Sequence, residues 1–321
     1  MTFYAATIGV LQTWFFEAII QPLLYATGNI GIAEQVFEAT EWLLLGGVEL
    51  LVLYLILRPL EAAYPVEPWA DRRGTGTDVI YTLLSRLGVL PMASFLLLTP
   101  LFDSFEGWLR LLGFNRLNLE DLFHGYADHP LAAFLVYALV LDSGEYWRHR
   151  MQHRFDWWWA LHALHHSQRK MSYWTDNRNH LLDDLLASAW LSAIALVIGV
   201  PPGQFFILVI ATRMVESLSH ANLRLSFGAA GDRLLVSPRF HRRHHAIGVG
   251  HEGEYRGCNF AVLFPLWDML FRTANFHPSF ESATGIRDQR NGRDYGAGLW
   301  AQQWLGLVRL GQVLFSPVRL R

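Results

Sequence analysis

The sequence predicts an all-α fold, an integral membrane helical bundle with a cytoplasmic, histidine-rich cap that holds a dinuclear metal site. Three observations predict it. The chain is 52% hydrophobic and 14% aromatic but only 17% charged, where a soluble domain carries about 25%. Several apolar stretches approach the length needed to cross about 30 Å of hydrocarbon. Eight of the fourteen histidines fall into three clusters at helical spacing between positions 149 and 245.

The clusters are His149 with His153, then His162, His165 and His166, then His241, His244 and His245. On a helix, residues four apart lie one turn above each other, so His149 and His153 can face one ion. In HALHH and HRRHH the first histidine shares a face with the fourth and fifth residues. The adjacent pair is splayed by roughly a hundred degrees, which lets each cluster serve more than one centre. Eight imidazoles exceed the four or so ligands of one structural zinc, so two ions share the set. A single HxxxH is more often an ordinary satisfied polar pair; the threefold recurrence is what points to metal.

Composition also excludes classes of function. A formal net charge of -2 is the wrong sign for a nucleic-acid partner. One cysteine, Cys258, excludes an internal disulfide and disfavours a thiolate metal site. It reads as a small buried residue.

Along the chain, residues 5 to 27 are apolar but interrupted by Gln12, Glu17, Gln21 and Pro22, and suit an interfacial or weakly spanning helix. They lack the basic start and the cleavage site of a signal peptide. Trp42 to Leu60 is the first strong span, broken only by Glu49, which must face a protein interior. Residues 61 to 77, with prolines, glycines and charges, read as a solvent-exposed connection. A second span follows from Asp78, with Asp78 or Thr77 as N-cap and a kink expected from Arg86 and Pro91. His124 and His129 lie outside the clusters and read as surface residues.

The third span, Leu131 to Leu141, flows into the helix carrying His149 and His153, which sets the metal near the membrane surface. Trp157 to Trp159 suit a headgroup interface or ordinary packing. The basic residues Arg148, Arg150, Arg154, Arg169 and Lys170 put this face in the cytoplasm. Leu185 to Val200 and Phe205 to Val215, separated by Pro201-Pro202-Gly203, form a helical hairpin. Arg213, Glu216 and His220 make a polar stripe on its second half, and such a stripe usually faces a buried site or else is an ion-paired packing feature. His220 and the isolated His180 are added to the candidate ligands. The segment LWAQQWLGLVRLGQVLF near the C-terminus either lies on the membrane or packs on the cap.

The order HRMQH, HALHHS, SHANL, SPRFHRRHH and then N...WDMLFRT resembles the fatty acid hydroxylase superfamily, over roughly residues 75 to 275. That group includes sterol desaturases, sphingolipid fatty acid hydroxylases, carotenoid hydroxylases and alkylglycerol monooxygenase. The resemblance implies a membrane enzyme whose histidines hold two iron ions and use dioxygen as co-substrate to hydroxylate or desaturate a lipid. The substrate types it leaves open are sterol, fatty acyl, sphingolipid, carotenoid, ornithine lipid and ether lipid. By position, the eight clustered histidines match the family's boxes, and His180 and His220 match extra histidines of many members. Asp142 matches a recurrent acid that orients a ligand imidazole, and Asn222, Asn259 and Asp268 look like similar supports.

Ligand type alone does not choose the metal, since imidazole suits zinc, copper, iron and nickel alike. A dizinc hydrolytic site would use the same residues, as would a non-redox metal-binding membrane protein. Electrons are expected from an external donor, a reductase with ferredoxin or cytochrome. The expected organisation is 1–74 for N-terminal membrane helices and linker, 75–275 for the catalytic domain and 276–321 for a C-terminal tail, in the cytoplasmic membrane if the source is prokaryotic.

Overall fold

A computed structural model describes residues 2–68, 74–114, 129–199, 202–280 and 283–315. The fold is 70% helical, with no β-strand among the described residues. The helices used below are α1 (Thr2–Phe15), α2 (Gln21–Ala26), α3 (Ala33–Ala63), α4 (Thr75–Arg86), α5 (Val89–Leu111), α6 (Pro130–Arg154), α7 (Asp156–His166), α8 (Leu181–Ile198), α9 (Pro202–His220), α10 (Gly228–Leu234), α11 (Pro238–His244), α12 (Leu266–Leu270) and α13 (Leu299–Phe315).

Among the described residues, three segments are long and apolar enough to cross a membrane: Ile30–Ala63, Val89–Leu111 and Leu181–Ile198. No more than 28% of each apolar window is buried within the protein. Leu96, Leu97 and Leu101 on α5 are all more than half exposed, as suits side chains whose solvent is lipid rather than water. The run from Leu131 to Leu141 sits in the continuous helix α6 but does not make it one of these three.

The expected single helix from Asp78 divides. α4 starts at Thr75, with Gly74 rather than Asp78 or Thr77 as its N-cap. It ends at Arg86, and the chain turns at Gly88, whose φ of 84° is left-handed. Pro91 then falls in the first turn of α5, where its missing N–H leaves no helical bond unmade. The buried Arg86 lies in the interior instead of at a headgroup. It donates to Glu49 at 2.7 Å, to Asp176 and Ser217 at 2.8 Å, and to the Arg213 carbonyl at 2.9 Å. This network compensates Glu49 within α3 and ties α3, α4 and α9 together. Gly46 permits the close approach, since a Cβ there would stand 1.7 Å from the Arg86 carbonyl oxygen.

The connection from residue 61 also differs from expectation. α3 extends to Ala63, and Glu61 is fully buried, accepting from the backbone N–H groups of Tyr173 and Asn222 at 3.0 and 2.7 Å. Residues 69–73 lie outside the described residues, as do His124 and the Pro201 break. α8 ends at Gly199 in the left-handed conformation, φ 64°, and α9 begins at Pro202. A core of Ala133, Tyr137, Ala138, Leu141 and Leu208 joins α6 to α9, with Leu191 and Ile194 of α8 packed against it. α13 packs on the cap: Arg309 donates to the Ala160 carbonyl at 3.0 Å, and Gln303 to the Tyr81 hydroxyl at 2.8 Å.

Candidate metal centre

Four helix ends converge below the spans and bring nine histidines together. His149 and His153 come from α6 and His162, His165 and His166 from α7. His220 ends α9; His241 and His244 lie on α11, and His245 is its C-cap. α11 is short, and its start is written in the sequence: the Ser237 hydroxyl accepts from the Phe240 N–H at 3.3 Å, and Pro238 occupies the first position. None of the nine is more than 6% exposed.

The nine divide into two groups. One holds His149, His153, His162, His166 and His244; the other holds His165, His220, His241 and His245. Within each group one ligand atom per residue lies within 4.8 Å of all the others. The adjacent pairs 165/166 and 244/245 are each split between the groups, as their splay on a helix requires. Nε2 atoms meet at 3.1 Å for His153 and His166, 3.0 Å for His241 and His220, 3.2 Å for His220 and His165, and 3.1 Å for His245 and His241. Two nitrogens each about 2.0–2.1 Å from one ion stand about 2.9–3.4 Å apart, which these separations match.

The outward nitrogens fix the tautomers. His149 Nδ1 donates to the Phe260 carbonyl at 2.8 Å, His153 Nδ1 to Arg256 at 3.2 Å, His244 Nδ1 to Cys258 at 2.7 Å and His220 Nδ1 to Glu216 at 2.8 Å. A carbonyl only accepts, so each Nδ1 carries the proton and each Nε2 lone pair points inward. His162 Nδ1 meets the buried Asp183 carboxylate at 3.0 Å. The Nε2 atoms of His149, His162 and His244 are buried and have no hydrogen-bonding partner among the described residues. Burial and then the neighbouring imidazoles hold His149, His165, His166, His241 and His245 well below the usual 6.5. Burial first, and imidazole neighbours with it, brings His244 to about 3. Neutral rings with converging lone pairs are the form in which histidine binds metal, so the residues present fit two ions.

The other candidate residues read from the sequence lie outside the two groups. His180 belongs to neither group: it caps α8, its Nδ1 accepting from the Leu182 N–H at 3.2 Å and its Nε2 donating to the Gln303 carbonyl at 3.0 Å. Asp142 touches no imidazole; it accepts from the N–H groups of Leu263 and Phe264 and from the Trp267 indole. Asp268 accepts from Phe260 and Ala261 N–H and from the Thr273 hydroxyl. Both carboxylates therefore hold the segment whose Phe260 carbonyl takes His149, one step farther out than expected. Asn259 is left-handed at φ 58° and donates to the Phe240 and Asn275 carbonyls. Asn222 binds the Glu67 backbone and braces the N-terminal connection.

What composition and spacing missed is Asp183 and the loop 256–260. Asp183 also accepts from Gln152 at 2.8 Å and Trp158 at 2.7 Å, which is the packing role of that tryptophan. The loop presents alternate carbonyls, of residues 256, 258 and 260, to three rings. His251, another buried histidine outside the clusters read from sequence, stacks on Trp159 with centroids 5.4 Å apart and lies 5.6 Å from His166. Gly250 lets the chain pass the third cluster, where a Cβ would stand 1.6 Å from the His244 carbonyl oxygen.

A cavity of about 800 Å³ adjoins both groups. Its wall includes His149 and His162 of one group and His165, His220 and His241 of the other, together with apolar residues of the spans α5 and α8 such as Phe95, Leu98 and Leu191. The stripe Arg213, Glu216 and His220 read from the sequence lines it too.

A family profile described as fatty acid hydroxylase matches residues 134–273, which contain all nine converging histidines. Over those residues the chain is similar to fatty acid hydroxylases. Over 275 residues the chain is 28% identical to ornithine lipid hydroxylase OlsE of Rhizobium tropici, covering 84% of this chain and 78% of that protein. It is also 28% identical over 149 residues to the alkylglycerol monooxygenase of Homo sapiens, 46% of this chain and 31% of that protein. The Danio rerio alkylglycerol monooxygenase matches at 28% over 135 residues. The match thus spans less than a third of the length of these two animal enzymes. No solved structure matches the chain.

Proposed function

We propose that the protein is a membrane-bound di-iron oxygenase that hydroxylates a lipid with dioxygen. The observation that carries this reading is the pair of converging imidazole sets in the wall of a cavity shared with apolar membrane helices. The names of the relatives, a lipid hydroxylase and a lipid monooxygenase, support an oxidoreductase acting on a polar lipid.

Iron bound there would supply the reduction of dioxygen needed to break an unactivated C–H bond. The chain's own residues do the rest. His149, His153, His162, His166 and His244 would hold one ion and His165, His220, His241 and His245 the other. Asp183 and the carbonyls of residues 256, 258 and 260 keep the rings in the ligating tautomer. Apolar residues of α5 and α8 align an acyl chain along the cavity and keep water from it. The balance is one lipid C–H, one dioxygen, two electrons and two protons, giving one lipid C–OH and one water. Electrons come from a separate donor, a reductase with ferredoxin or cytochrome. The catalytic unit spans 75–275, braced by α3 before it and α13 after it. Arg150, Arg154, Arg169 and Lys170 support a cytoplasmic location for the histidine face.

The test is mass spectrometry of membrane lipids from cells with and without the protein. A lipid heavier by one oxygen, absent from cells carrying His165→Ala with His166→Ala, is the expected result. Loss of two hydrogens would make the protein a desaturase on the same site. An unchanged lipid profile, with iron supplied and bound, would return the site to non-redox metal binding.

A further inference from the structure

The cavity wall beside the histidines holds more hydrogen-bond acceptors than its own donors use. Glu145 is paired with Arg148 at 2.5 Å and Asp176 with Arg86 at 2.8 Å. Asp183 is taken by His162, Gln152 and Trp158. Arg213, the other cation on the wall, lies 3.7 Å from Glu49 and donates to the Ser85 carbonyl at 3.2 Å. Apart from Asp103 and Glu106 on α5, two carboxylates of the wall remain, Asp184 and Glu216. Neither forms an ion pair among the described residues, and Asp184 bonds only the neutral Asn179 side chain. They are near enough to repel one another. Both stand close to the histidines: Asp184 follows Asp183 in the first turn of α8, and Glu216 lies one turn before His220.

An independent feature of the wall asks for the same ligand. Gln152 is 1% exposed, and its Nε2 donates to Asp183. A carboxylate only accepts, so the amide cannot be reversed, and its Oε1, buried without a partner, is left as an acceptor. Asp184 and Glu216, neither in an ion pair among the described residues, and the Gln152 amide oxygen, which has no donor there, thus belong to one wall.

We propose that Asp184, Glu216 and Gln152 form a site for a primary ammonium group on the headgroup of the lipid that the cavity receives. This rests on the reading of the cavity as the lipid chamber. An ammonium brings three donors, a positive charge and no acceptor, which complements the wall. A neutral glycerol headgroup leaves both carboxylates uncompensated, and an anionic headgroup is repelled by them. The site therefore selects an amine-bearing lipid over an alkylglycerol.

The experiment measures binding of dodecylamine, dodecanol and dodecanoate to the full-length, metal-loaded protein in uncharged detergent. Dodecylamine is expected to bind at least about tenfold more tightly than dodecanol, the worth of one charge-assisted hydrogen bond, with dodecanoate weakest. The Asp184→Asn, Glu216→Gln double variant should lose the preference while still binding dodecanol. Equal binding of amine and alcohol, tighter binding of dodecanoate, or a preference that survives the double variant overturns the proposal. The wild-type comparison decides by itself if the double variant does not fold. An amine preference in a protein that oxidises no lipid sinks the oxygenase reading and keeps the site; lipid oxidation without the preference sinks the site alone.

Discussion

In the five-histidine group, four outward ring nitrogens are tied down, those of His149, His153 and His244 by the carbonyls of the 256–260 loop and that of His162 by Asp183. In the four-histidine group, among the described residues, only His220 is held, by the Glu216 carbonyl. The Nδ1 atoms of His165, His241 and His245 are buried with no such partner. The groups also differ in access: three of the four rings in the second line the cavity, against two of the five in the first. The better oriented group is thus the more enclosed, and the group with more rings on the cavity has fewer of them braced. An ion held by unbraced rings would exchange more readily, so in the proposed enzyme the first group would retain its ion and the second would hold the more accessible one.

The largest effect expected from this contrast is on metal retention. Dialysis against a chelator should remove the ions in two stages, about one equivalent before the other. His241→Ala, which leaves three ligands in the weaker group, should purify with about half the wild-type metal. His244→Ala leaves four ligands in its group and should retain more. Metal analysis of the two variants decides; a single stage of release, with equal content in both, would remove the distinction. A smaller effect is expected from Asp183→Asn, which takes the charge from the partner of His162. Outer partners of this kind are worth about 10–100-fold in metal affinity, so the five-histidine ion should weaken by that factor and the other should not. Competition with a calibrated chelator reads both, and weakening of the second ion alone would reverse the assignment.

The histidines were legible because ligand spacing on a helix is local: HRMQH, HALHH and HRRHH carry their geometry in their own periodicity. Glu49 was legible as a residue facing the interior, since a charge in an apolar run has few other places to go. The supports of the rings were not, because three of them are backbone carbonyls and every residue type carries one. Asp183 looks in sequence like an ordinary acid in the first turn of a helix; only the fold brings it under His162. Asp142 and Asp268 have the right residue type but bind backbone N–H groups, which no spacing rule separates from imidazole contacts. The helix break went to Gly88 instead of Pro91 because a proline in a first turn breaks nothing. The connection after residue 60 read as exposed from its breakers, while Glu61 supplies two buried N–H groups with an acceptor.

His180 tests whether the boundary of the two groups is drawn correctly. Its ring is enclosed by α13, where a Cβ on Gly306 would stand 2.3 Å from His180 Cδ2, and both of its nitrogens are engaged. Substitution by alanine removes the cap of α8 and leaves the Gln303 carbonyl without its donor. A lost helix cap costs about 0.5–2 kcal/mol, so His180→Ala should lower the melting temperature modestly while the metal content stays at the wild-type value. A ligand variant behaves the other way, losing metal before stability. Should His180→Ala lose a metal equivalent instead, α13 would have to move in the loaded protein to deliver a tenth imidazole, and the weaker group, short of braced ligands, is where it would be needed.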